Sequence, residues 1–111
     1  MRDIEKRPMW NGALASQLPG KLVLVGITYV DAKGVVIEAQ QFYGRVKAAS
    51  EQSGILLILE GQRQGEQYNL PPDMRSMFEA KPGKYALQGT GEVVSDPDFT
   101  VMFSLREQPH N

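Results

Sequence analysis

The sequence predicts an all-β domain, mainly antiparallel, shaped as a small barrel of about six strands with one short helix near residues 73–79. Three observations point there. The strand-length apolar runs "LVLVGITYV" and "ILLIL" are rich in β-branched and aliphatic residues. Turn signals built on Gly, Pro, Asp and Ser separate such runs along the chain. Near the end, "FTVMFSL" sets Phe99, Val101, Phe103 and Leu105 on one face and Thr100, Met102 and Ser104 on the other.

Taken in order, residues 1–17 read as an N-terminal arm or a short helix, best placed around Trp10 to Leu18, and residues 18–107 as one domain. "KLVLVGITYV" is a strand whose two alternating sets are both apolar, as expected when both faces are covered or when it pairs with another subunit. "DAKG" turns the chain, and "VVIEAQQFYGRVKAA" returns antiparallel, with Gly44 as a bend or bulge. "ILLILEG" and "EQYNL" continue the meander across the turn "QRQG", until Pro71 and Pro72 remove backbone donors. Asp73 can then cap a short helix with Met74, Met77 and Phe78 on one side, stopped by Pro82-Gly83. "KYALQGTGEVV" reads as a strand coiled at Gly89 and Gly91, "SDPD" as a turn, and residues 108–111 as a disordered tail.

Composition excludes several classes of function. A chain of 111 residues fits one core, and its 41% hydrophobic and 23% charged residues are ordinary for a folded domain. A net charge of -1 provides no broad positive field for nucleic acid. The absence of cysteine removes disulfides, thiol catalysis and Cys-based zinc sites. "MRDIEKRPMW" mixes both charge signs without an apolar run behind it, which is neither a secretory signal nor a membrane span, so a cytoplasmic protein is expected.

"GKLVLVGI", Gly20 to Ile27, resembles the opening strand of Sm-like proteins, and "GRVKAASEQSGILL", Gly44 to Leu57, is similar to their next stretch in the spacing of its glycine, aliphatics and polar loop. The resemblance implies an SH3-like or Sm-like barrel. It does not imply RNA binding: Ser50 and Gly54 stand where that family holds a base with an Asp and an Asn, and the family's late Arg-Gly pair has no counterpart.

The candidate chemistry is sparse. His110, the single histidine, lies in the expected tail, where it cannot be held as a base. Asp96 and Asp98, with Glu92 nearby, fit a turn better than a cation loop. Glu60 and Glu66 flank "GQRQG" as solvated hairpin residues, and that loop lacks the lysine and following helix of a phosphate cradle. No catalytic residue, metal site or cofactor is therefore assigned. Tyr43, Arg45 and Lys47, alternating along one strand face, are the candidate RNA contacts, since rings stack on bases while cations meet phosphates. Tyr68, Pro71, Pro72 and Met74 form the candidate partner surface if they face solvent, with Met77 and Phe78 plugging the barrel. The resulting expectation is a non-catalytic module acting through a protein partner or self-association. A divergent Sm-like RNA-binding protein is the alternative, and an enzyme with a carboxylate-based site comes third.

Overall fold

The computed structural model describes residues 7–106; the start of the expected arm and the expected tail with His110 lie outside the described residues. One helix, α1 (Gly12–Gln17), precedes eight strands: β1 (Leu22–Val30), β2 (Val36–Ser50), β3 (Gly54–Leu59), β4 (Gln67–Leu70), β5 (Met77–Glu79), β6 (Lys84–Ala86), β7 (Val93–Ser95) and β8 (Phe99–Arg106). Six strands form one sheet in the order β4-β3-β2-β1-β8-β5, while β6 and β7 pair by themselves. The fold is mostly β, as expected, and most of its pairings are antiparallel.

The local chemistry explains the meander. At the β1–β2 turn the Asp31 carboxylate accepts hydrogen bonds from the amides of Lys33 (2.8 Å) and Val35 (2.9 Å), and Gly34 takes a φ of 84°. β2 is long enough to serve two partners, pairing with β1 as far as Arg45 and with β3 from Gly44 onward. Gly44 is required at the overlap, because a Cβ there would meet the Ile58 carbonyl oxygen at 2.5 Å and the Leu59 Cα at 2.8 Å.

Three expectations are corrected. The hydrogen-bonded sheet does not close into a barrel: β4 and β5 are its two edges. Side chains bridge the gap instead, with Leu70 of β4, Met74 of the connection and Met77 of β5 sharing one core cluster. Secondly, no helix forms over 73–79. Asp73 spends its carboxylate on Arg75, accepting from its amide (3.1 Å) and its guanidinium (2.9 and 2.7 Å), and a single backbone bond from Met77 to Met74 (3.2 Å) closes one turn. One turn does not repay helix nucleation, and the chain pairs with β8 as β5 instead. Thirdly, residues 84–94 are a hairpin rather than one strand, since Gly89 and Gly91 adopt φ of 85° and 75° and the Leu87 amide returns to the Glu92 carbonyl at 2.8 Å.

One pairing of the sheet is parallel. β8 joins β1 in parallel, from Val23 beside Phe99 to Val30 beside Arg106. Asp98 clips the two together: its amide donates to the Leu22 carbonyl (2.8 Å) and its carboxylate accepts from the Leu22 amide (2.8 Å). β1 is therefore a central strand with no free edge. Its two apolar faces are both covered within the chain, Val23, Val25 and Ile27 by the main core and Leu22 and Leu24 by Leu87 and Val94 of the β6–β7 unit. The doubly apolar pattern needs no second subunit.

The arm caps one end of the core. Asn11 accepts from the Leu14 amide (3.1 Å) to start α1, and Ala15 and Leu18 are buried. Before it, the Met9 carbonyl accepts from the Met74 amide (2.7 Å), and the Arg7 guanidinium lies over the Phe78 ring (4.3 Å).

Candidate functional site

Met74 is 1% exposed, so the expected surface of Tyr68, Pro71, Pro72 and Met74 does not form as one patch. Its amide is taken by the arm and its side chain fills the gap between the edge strands. Tyr68 is half-buried with its ring 4.8 Å from Phe42, and its hydroxyl is raised in pKa by burial and by the Tyr29 hydroxyl bonded to it. Pro71 is exposed and Pro72 half-buried. Met77 is buried, as a plug requires, whereas Phe78 is half-buried under Arg7.

Tyr43, Arg45 and Lys47 lie on β2, where Tyr43 and Arg45 border a shallow cleft of about 500 Å³ with Glu60, Gly61 and Gln64. The Arg45 guanidinium is 3.2 Å from the Glu60 carboxylate and donates to the Gly20 carbonyl (3.1 Å). Burial raises the Tyr43 pKa, with the Glu92 carboxylate at its hydroxyl adding to the effect. The Tyr43 ring packs on the Leu22–Leu24 side of β1. Lys47 is exposed at the register shift between Val46 and Ala48 and does not border this cleft. Two carboxylates thus meet the cation and the hydroxyl that RNA would use.

The other carboxylates have structural partners too. Glu66 pairs with Arg63 (3.1 Å), whose guanidinium also lies 4.7 Å from the Phe42 ring centroid. Asp96, at a φ of 50°, accepts from the Gly83 amide (2.8 Å), and Asp98 is the clip described above. Glu60 and Glu66 are not brought together as a pair, since each binds its own arginine.

The feature sequence reasoning missed is a three-stranded extension. The C-terminal part of β1, the N-terminal part of β2 and the C-terminal part of β8 run beyond the main core as one ribbon. β3 joins β2 only from Gly44 and β5 reaches β8 only as far as Val101, so among the described residues no strand pairs with the outer edge of β2 before Gly44 or of β8 after Val101. Val35, Val36, Ile37, Met102 and Leu105 are 60%, 60%, 53%, 59% and 37% exposed on this ribbon and its turn. Its β2 edge borders a groove of about 390 Å³ lined by Ala39, Gln40, Gln41, Arg63, Gln88 and Thr90.

Backbone bonds define which amides face outward. The Tyr43 carbonyl accepts from the Glu60 amide on the side away from β1, so alternation turns the backbone groups of Gln41 and Ala39 to the same open edge. On β8, the Asp98 carbonyl accepts from Ala80 and the Met102 carbonyl from the Ser76 hydroxyl (2.6 Å), so Ser104 and Arg106 also direct their amides and carbonyls outward.

Comparison with protein-family models, with curated proteins and with solved structures gives no match, so the surface itself carries the functional reading. Among the described residues no helix is long and apolar enough to cross a membrane.

Proposed function

We propose that this chain is a non-catalytic β module that acts through protein contacts, adding a partner's strand to an open edge of the β1–β2–β8 ribbon. The observation that carries this is the coincidence of strand edges without a paired strand at 36–42 and 103–106 with exposed Val36, Ile37, Met102 and Leu105. Strand addition draws affinity from main-chain hydrogen bonds and selectivity from alternate side chains, and the ribbon supplies both. An Sm-like or SH3-like origin belongs to the same proposal. Its support is the long β2, crossed closely by β3 at Gly44, shifted in register between Val46 and Ala48 and returned through β3, while Ser50 and Gly54 offer no base pocket.

The test is a pull-down with wild type and with an Ala39→Pro, Ser104→Pro double variant, both checked for folding by circular dichroism. Proline is tolerated where the lost amide faces solvent, and it blocks strand addition there. Partners held by wild type and lost by the folded double variant support the reading. Partners held equally by both overturn it.

A further inference from the structure

We infer that the occupant of the β8 edge is a second copy of this chain, its β8 running antiparallel to the first about a twofold axis through Ser104. This rests on the strand-addition reading and names one partner for one of its edges. An isologous interface has to be self-complementary, and the edge meets that condition in three respects.

The first is hydrogen-bond direction. An antiparallel pair exchanges two backbone bonds between residues whose amide and carbonyl both face the partner. Ser104 is such a residue, because the Met102 carbonyl already faces that edge toward Ser76 and every second residue follows it. Centring on Ser104 places Met102 opposite the other copy's Arg106, a second outward-facing pair in which the Met102 carbonyl is shared with the Ser76 hydroxyl. Centring on Phe103 or Leu105 would set inward-facing groups against each other.

The second is side-chain pairing. Phe103 and Leu105 lie on the face shared with Ile27 and Tyr29, and about this axis each meets the other across the interface. Phe103 is half-buried and Leu105 37% exposed, so the pairing covers apolar surface that the single chain leaves in water. On the opposite face Met102 meets the aliphatic stem of Arg106, and the two arginines sit at opposite ends of the paired segment.

The third is what the edge lacks. Exposed edges are ordinarily guarded by charge or proline. "MFSL", residues 102–105, contains neither, and the one charge of the seat, Arg106 at its end, is turned back to the Ala32 carbonyl (2.6 Å), whereas the β2 edge carries Glu38 with Gln40 and Gln41 beside it. The seat is also bounded: β5 holds β8 up to Val101, which confines a second strand to residues 102–106.

Because the natural chain has no cysteine, single cysteines report the register without background. Light scattering of wild type should give twice the chain mass, and folded Ser104→Pro the mass of one chain. Under mild oxidation or with a short thiol crosslinker, Ser104→Cys should link to itself, and Met102→Cys should link to Arg106→Cys but not to itself. Thr100→Cys, on the length of β8 already covered by β5, should not link. A wild-type dimer that survives Ser104→Pro, or one in which Met102→Cys links to itself, overturns this register and leaves strand addition elsewhere standing. A wild type that stays monomeric at every concentration overturns the second copy as occupant, while the pull-down with Ala39→Pro still decides the broader reading.

Discussion

Val25 and Val36 stand on adjacent strands of one sheet, yet the first is 0% exposed and the second 60%. Around Val25 the ribbon is flanked by β3, β5 and the β6–β7 unit and is covered on both faces. Around Val36 the same strands continue with both outer edges open. β1 pairs with β2 in both places, with a register shift beside Val36, and what chiefly separates the buried core from the exposed surface here is lateral company. Strand propensity, which both residues satisfy, does not distinguish them.

Mutation can sharpen or break that contrast. The largest effect is expected at Leu57, 0% exposed on β3: Leu57→Ala should cost about 2–5 kcal/mol in denaturant unfolding, and a loss similar to that of a ribbon residue would erase the distinction. Gly54→Ala follows. Gly54 has a φ of 92° and a Cβ there would collide with the Leu70 carbonyl oxygen, so about 1–3 kcal/mol should be lost, read from the same unfolding curves. At the rim of the closed half, Asn11→Ala removes the α1 cap and should lower stability by about 1 kcal/mol, with Asn11→Gly milder.

A smaller, pH-dependent effect belongs to Asp73. Its hydrogen bonds from the Arg75 guanidinium hold its carboxyl below the usual aspartate range. A depressed folded pKa means that the contribution is fully present above the ordinary aspartate value and is lost as pH falls through the lower, folded one. Asp73→Asn should therefore lower stability near neutrality and flatten this part of the acid decline, measured as unfolding midpoints from about pH 7 to about pH 3. The smallest effect is expected on the ribbon: Val36→Thr should change the stability of the isolated chain by less than about 0.5 kcal/mol. A large loss there would show that the ribbon is part of the core.

What was legible in the residues follows the same division. Periodicity reports which face of a strand is buried, and it placed β1, β2, β3 and β4 and the alternation of β8 where the structure has them. It also left β1 either covered on both faces or paired with another subunit, and the first of these holds within the chain. Periodicity is silent about edges. The parallel pairing of β1 with β8 depends on Asp98 reaching a backbone amide far away in the chain, and nothing local announces it. Nor could spacing show that β3 begins its pairing only at Gly44 and β5 ends at Val101, which is what creates the candidate surface. The misread at 73–79 had another origin. Asp73 and the Met74, Met77, Phe78 spacing suit a helix, but the segment is too short to sustain one against pairing with β8. Met74 was misplaced for a related reason, since a gap between edge strands exists only after the sheet has curled.

The Asp98 clip also orders events in time. Its bond to Leu22 joins residues 76 apart, and β8 lies between β1 and β5 in the finished sheet. During synthesis the β1–β4 meander can pair as it emerges, but Phe99 and Val101 of the main core come from β8, far later in the chain. Until β8 is released from the ribosome, one long edge of β1 remains a template for any strand in reach. Such non-local closure makes for slow folding, and the nascent chain is most exposed to mispairing before β8 emerges.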